Sequence, residues 1–142
     1  MRPVVFYYSE TGNTEKVARA VCEATDGSMK RIETGAEDLV EGEPVFVGTP
    51  VHAFKPAKPV MRFIKENDWD GVKAAVFCTY SLYPGKTLRW MRERIERDGG
   101  EVLGELKVKG RHPVVPFLAR GRPDERDLEK AASWARKVLK RV

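Results

Sequence analysis

The chain has 142 residues, 42% hydrophobic and 33% charged, with 26 Lys and Arg against 21 Asp and Glu. That length and balance suit one globular domain over residues 1–142, with little room for a second core. No run of about 18 apolar residues occurs, which excludes a membrane-spanning helix, and the apolar stretch near the N-terminus reads as a strand rather than a signal peptide.

The net charge of +5 is unevenly spread. Residues 86–122 carry ten basic and five acidic side chains, while the remainder carries sixteen of each. A basic stretch of this kind attracts acidic partners or nucleic acid, or simply solubilises a surface. Two cysteines, Cys22 and Cys78, are too few for a disulfide framework. Both lie in apolar stretches and read as buried free thiols in a reducing cytoplasm. Gln is absent and Asn occurs only at positions 13 and 67, which with the high charge points to a thermophilic source.

In chain order, Pro3 to Tyr8 is a continuous apolar run, the pattern of a strand buried on both faces. Asn13 to Thr25 follows as a helix with Val17, Ala20, Val21 and Ala24 on one face. Ser28 to Glu33 reads as a weaker strand, and the polar segment after it holds one or two helical turns around Leu39. Pro44 to Val47 is the next apolar run and ends at Gly48-Thr49-Pro50. A helix then places Ala57, Val60, Met61 and Ile64 at i, i+3, i+4 and i+7. Val72 to Thr79 is a strongly apolar strand.

Thr87 to Asp98 is helical, with Leu88, Met91 and Ile95 facing inward and Gly99-Gly100 ending it. Val102 to Val108 alternates, with Glu105, Lys107 and Lys109 on one face, as in an edge strand guarded by charge. Pro113 to Leu118 resumes it beyond a kink at Gly110. The last helix opens on Asp124, Glu125, Asp127 and Glu129 and closes on Arg136, Lys137, Lys140 and Arg141, matching the helix dipole. Strands alternating with helices predict an α/β domain: a doubly wound, five-stranded parallel sheet with helices on both faces. Such folds bind ligands at the carboxyl ends of their strands, here residues 9–14, 49–55 and 79–86.

The first of these segments, Ser9-Glu10-Thr11-Gly12-Asn13-Thr14, leaves a buried strand and opens a helix. A helix N-terminus offers unpaired N–H groups and a partial positive charge, so it binds phosphate. The hydroxyls of Ser9, Thr11 and Thr14 and the Asn13 amide add donors, and Gly12 permits a tight turn. An ordinary helix cap by Thr11 or Asn13 is the competing explanation. The segment has neither GxxxxGK[ST] nor GxGxxG, which excludes a Walker-type site and argues against a dinucleotide fingerprint.

Tyr8 to Thr14 after a first strand resembles the FMN-phosphate loop of flavodoxins, [ST]-x-T-G-x-T, and the resemblance extends over essentially the whole chain. It implies the sheet order 2-1-3-4-5 and FMN as cofactor. It also implies that Thr49-Pro50-Val51-His52-Ala53-Phe54 and Thr79-Tyr80-Ser81, with Tyr83 and Gly85, hold the isoalloxazine ring. Thr49 would bond the ribityl chain or ring, and His52 or Phe54 would lie against the flavin. Tyr80 and Tyr83 are both candidates to stack on it. His52 is one of two histidines, a residue type whose charge changes near neutrality. Beside the flavin it would couple electron uptake to protonation; the alternative is a loop histidine with no role.

The resemblance further implies an electron carrier working between redox partner proteins. Many flavodoxins are strongly acidic, whereas Lys55, Lys58 and Lys86 flank the ring segments here. The expected consequences are acidic docking partners and a less negative second reduction step. A second reading is an FMN-dependent oxidoreductase acting directly on a small molecule such as a quinone. A third is a flavin-free module binding nucleic acid through residues 86–122, which the intact phosphate loop opposes. A phosphorelay receiver is poorer still, because no acidic cluster ends the first strand.

Overall fold

The computed structural model describes residues 2–33, 37, 39, 42–112 and 120–142. Among these residues five strands, β1 (Val4–Tyr7), β2 (Ser28–Arg31), β3 (Val45–His52), β5 (Lys73–Tyr80) and β6 (Glu101–Lys109), run parallel in one sheet. A two-residue strand, β4 (Lys55–Pro56), pairs antiparallel with β3 and lies off the path β2-β1-β3-β5-β6. Counting the parallel strands alone restores the expected order, so the fold is the doubly wound α/β sheet. Among the described residues the helices are α1 (Asn13–Thr25), α2 (Lys58–Glu66), α3 (Thr87–Arg97) and α4 (Glu125–Leu139). Two expectations, the helical turns around Leu39 and the extended piece Pro113 to Leu118, fall largely or wholly outside the described residues.

The apolar runs are continuous because successive strand residues supply opposite layers. Val5, Tyr7, Phe46, Ala75 and Phe77 face α1 and α4, packing on Val17, Val21, Ala131, Ala135 and Val138. Phe6, Val45, Val47, Ala74 and Val76 face the other way, onto Val60, Phe63, Ile64, Met91 and Ile95. Side chains alternate along a strand, so a sheet covered on both faces has no polar register.

Two large core residues escape the helical spacing read for α2. Phe63 is buried where Met61 is only partly so, and Trp69, beyond the helix, is fully buried. The Trp69 indole Nε1–H donates to the Ile64 carbonyl at 2.7 Å, which satisfies the polar edge of an otherwise apolar group. Gly48 is needed for packing: a Cβ there would lie 2.2 Å from the Phe77 ring, its neighbour across the β3–β5 ladder.

The charged face of β6 behaves as expected, with Glu105, Lys107 and Lys109 exposed at the sheet edge. α4 starts with a reciprocal cap: Asp127 N–H donates to the Asp124 carboxylate and Asp124 N–H to that of Asp127. Cys78 is fully buried, but Cys22 is only partly so and its Sγ donates to the Gly27 carbonyl. Among the described residues no helix is long and apolar enough to cross a membrane.

The main departure is β3. The sequence ends this strand near Gly48, but pairing continues to His52 and turns back into β4. The two turn residues, Ala53 and Phe54, have φ of 50° and 65°. Positive φ at both central residues is what a two-residue hairpin matching strand twist requires, and Asn or Gly normally supplies it. Neither is present here, so the sequence carries no hairpin signal.

Candidate functional site

In a parallel sheet all carboxyl ends lie along one edge, and the pairings Tyr7↔Gly48, Pro50↔Thr79 and Tyr80↔Lys109 bring four strand ends together there. A cleft opens at this edge. It is lined by Glu10, Thr11 and Asn13 from the first segment, Pro50, Val51 and His52 from the second, and Thr79, Tyr80 and Ser81 from the third. Gly110 and Arg111, which follow β6, complete the wall. Sequence reasoning missed these two. The available signal was topological, since a fifth parallel strand must end at the same edge as the others.

The first segment is built around the start of α1. Gly12 occupies the cap position with φ 93°, and among the described residues no side chain caps the helix. The caps considered for Thr11 and Asn13 are therefore absent. Instead the Ser9 hydroxyl accepts from the Gly12 N–H at 3.1 Å, and the Arg31 guanidinium donates to the Ser9 carbonyl at 2.7 Å. Arg31 also lies 5.4 Å from the centre of the Tyr8 ring. The helical ladder begins with Lys16 N–H donating to Gly12. The N–H groups of the first turn thus have no partner inside the helix, and helix polarity makes this end electropositive.

Two proposed phosphate donors are engaged within the protein. The Thr14 hydroxyl is buried and shares a 2.8 Å hydrogen bond with that of Thr79, and Asn13 Nδ2 donates to the Arg111 carbonyl at 2.9 Å. These bonds tie the start of α1 to the ends of β5 and β6. The hydroxyl of exposed Thr11 remains open to a ligand.

Thr49 likewise has its hydroxyl engaged within the protein. It is fully buried, and its hydroxyl donates to the Pro50 carbonyl and accepts from the Ala57 N–H. It secures the root of the hairpin, its one donor hydrogen already used on the Pro50 carbonyl. His52 reaches across the cleft mouth, its Nε2 2.6 Å from the Glu10 carboxylate, so the first and second segments are bridged by a half-exposed pair.

Ala53, Phe54, Tyr83 and Gly85 do not line this cleft. With Lys55, Lys86 and Trp90 they form a neighbouring, mostly apolar one of about 460 Å³. Phe54 and Tyr83 are 57% and 64% exposed and meet edge to face at 6.0 Å, which excludes a core role for Phe54. The Phe54 carbonyl accepts from the Lys86 N–H, and a Cβ on Gly85 would come within 2.5 Å of the Phe54 Cβ. Gly85, with φ 60°, is what allows the second and third segments to touch.

A five-stranded parallel sheet in this order, with an uncapped helix start and three further loops converging on it, defines a doubly wound α/β protein with a cleft at the carboxyl ends of its strands. The family model described as Flavodoxin domain matches residues 4–111. The chain belongs to the flavodoxin family, which implies a flavin cofactor. An uncharacterized protein of Methanocaldococcus jannaschii is 26% identical, the match covering 99% of each chain. Among solved structures, the Streptococcus pneumonia TIGR4 flavodoxin superposes with a TM-score of 0.78 at 17% identity, over 100% of both chains. Oxidised Flavodoxin 2 from Bacillus cereus gives 0.77 at 19% over 100% of both, and a flavodoxin from the domain Archaea gives 0.75 at 19% over 99% and 98%. At these identities the structural likeness speaks to the fold.

Proposed function

We propose that residues 1–142 form one flavodoxin-like domain that binds FMN and carries electrons between redox partner proteins in the cytoplasm. The observation that carries this reading is the uncapped N-terminus of α1 opening into a cleft walled by the other strand ends. The first-turn N–H groups, with Ser9, Thr11 and Gly12, are suited to hold a phosphate. Pro50, Val51 and His52 on one side, and Thr79, Tyr80 and Ser81 on the other, are suited to hold the ring. Tyr80 lines the cleft and Tyr83 lies outside it, which favours Tyr80 as the stacking side chain. Bound FMN supplies the electron chemistry, so the protein's part is to bind, orient and tune it.

Lys55, Lys58 and Lys86 are exposed beside the ring segments, and they suit a partner with an acidic docking surface. They also favour negative charge on the flavin, so the second reduction step is expected to be less negative than in acidic relatives. Potentiometric titration checks this, and an equally low second step refutes it. The binding assignment is tested by titrating apoprotein with FMN and riboflavin. FMN bound far more tightly than riboflavin supports it, and failure to quench FMN fluorescence removes it.

A second reading is favoured by the open aromatic cleft of Phe54, Tyr83 and Trp90, which offers a planar small molecule an apolar surface beside the site. Turnover of a quinone by NAD(P)H with no second protein would place the protein among FMN-dependent oxidoreductases.

A further inference from the structure

The start of a helix carries only a fractional charge, whereas a phosphate monoester near neutral pH is close to a dianion. The first segment contributes no cation to balance it. Its one charged side chain lining the cleft is Glu10, which is anionic and engaged by His52. The basic side chains near the site are mostly committed: Arg31 to the Ser9 carbonyl and the Tyr8 ring, and Arg122 to the Asp127 carboxylate. Lys55 and Lys86 line the aromatic cleft instead.

Arg111 is different. It lines the main cleft beside Thr11 and Asn13, and lines a second, contiguous hollow with the same two residues and His112. Among the described residues its hydrogen bonds are all made by its backbone: its carbonyl accepts from Asn13 Nδ2, and its N–H donates to the Arg122 carbonyl at 2.9 Å. Gly110 is pressed so closely on Asn13 that a Cβ there would lie 2.6 Å from Nδ2. The position of residue 111 against the helix start is therefore fixed by main-chain contacts. Its exposed side chain makes no ion pair among the described residues.

We propose that Arg111 is the phosphate-neutralising and specificity-determining residue of the site, selecting a flavin bearing a terminal phosphate over one without it. The guanidinium offers a planar, positively charged fork of donors to phosphate oxygens. The inference rests on the flavin-binding reading above.

The test compares FMN and riboflavin affinities of apoprotein, by fluorescence titration at low and high salt, for the wild type, R111K and R111Q. Because the residue's bonds to the fold are main-chain ones, both variants should keep the wild-type unfolding midpoint. The expected result is FMN affinity about tenfold or more weaker in R111Q, with riboflavin unchanged and a shallower salt dependence, and R111K in between. Unchanged FMN affinity in R111Q, or an equal loss for both flavins, overturns the role of Arg111 while leaving FMN binding intact. A wild-type protein that binds neither flavin overturns the underlying reading instead, and the inference with it.

Discussion

The buried hydroxyl pair Thr14–Thr79 offers the sharpest test of how the site is held. The residues lie 65 positions apart, are 1% and 4% exposed, and share one 2.8 Å hydrogen bond. Thr79→Val keeps the shape but leaves the Thr14 hydroxyl buried without that partner, which costs about 1–3 kcal/mol. Thr14→Val has the mirrored effect. Replacing both removes donor and acceptor together, and a shape-matched apolar pair is close to neutral. The double variant should thus be more stable than the sum of the singles implies, with a coupling of at least about 1 kcal/mol. For a chain of this size each kcal/mol moves the midpoint by roughly 3–5 °C. Urea unfolding of all four proteins, at constant m, measures the cycle. Each single variant should also weaken FMN binding, because the bond ties the helix start to the end of β5. Strictly additive stabilities would refute the claim that this bond fastens the two segments.

Three further outcomes are expected. Ala53→Gly relieves a positive φ at an exposed side chain; about 1–2 kcal/mol of strain set against about 0.5–1 kcal/mol of added chain entropy leaves a gain of up to about 1.5 kcal/mol, read by urea midpoint. The Asp127 carboxyl is held below its ordinary range, chiefly by hydrogen bonds from Arg122 and against the opposing effect of burial. Its folded pKa lies below the unfolded value near 4, so its stabilisation is present above about pH 4 and lost as pH falls through the folded value. Asp127→Asn should therefore lower stability at pH 7 and flatten the acid decline, seen in urea midpoints at pH 7 and 3. Burial pushes the Cys78 thiol up to about 12, and the Cys22 thiol is raised too, again mainly by burial. A native thiol titration at pH 8 should detect at most Cys22, and both after unfolding in guanidinium.

The lesson for reading such a chain lies in the range of the interactions. α1 was legible at both ends because the apolar spacing from Val17 to Val21 and the turn residues around it are local signals. The segment Ser9 to Thr14 was legible as the turn that opens α1 at the cleft because its residues are contiguous. By contrast, Asn13 meets Arg111 across 98 positions, and no local pattern announces that contact. Thr49 shows the same limit from the other side: a hydroxyl beside a predicted loop looks available, until the chain returns and Ala57 N–H donates to it.

The amino-acid sequence by itself determined the layers, the parallel sheet and the edge where the cleft opens, because alternation and apolar spacing report which faces are buried. Tertiary structure decided which polar groups at that edge remain open. It committed Thr14, Thr49 and Asn13 to the protein and moved Phe54 and Tyr83 to a separate exposed surface. It also brought Arg111 to the helix start. Those outcomes depend on how strand ends far apart in sequence come to rest side by side, and on the demand that each buried polar group find a partner.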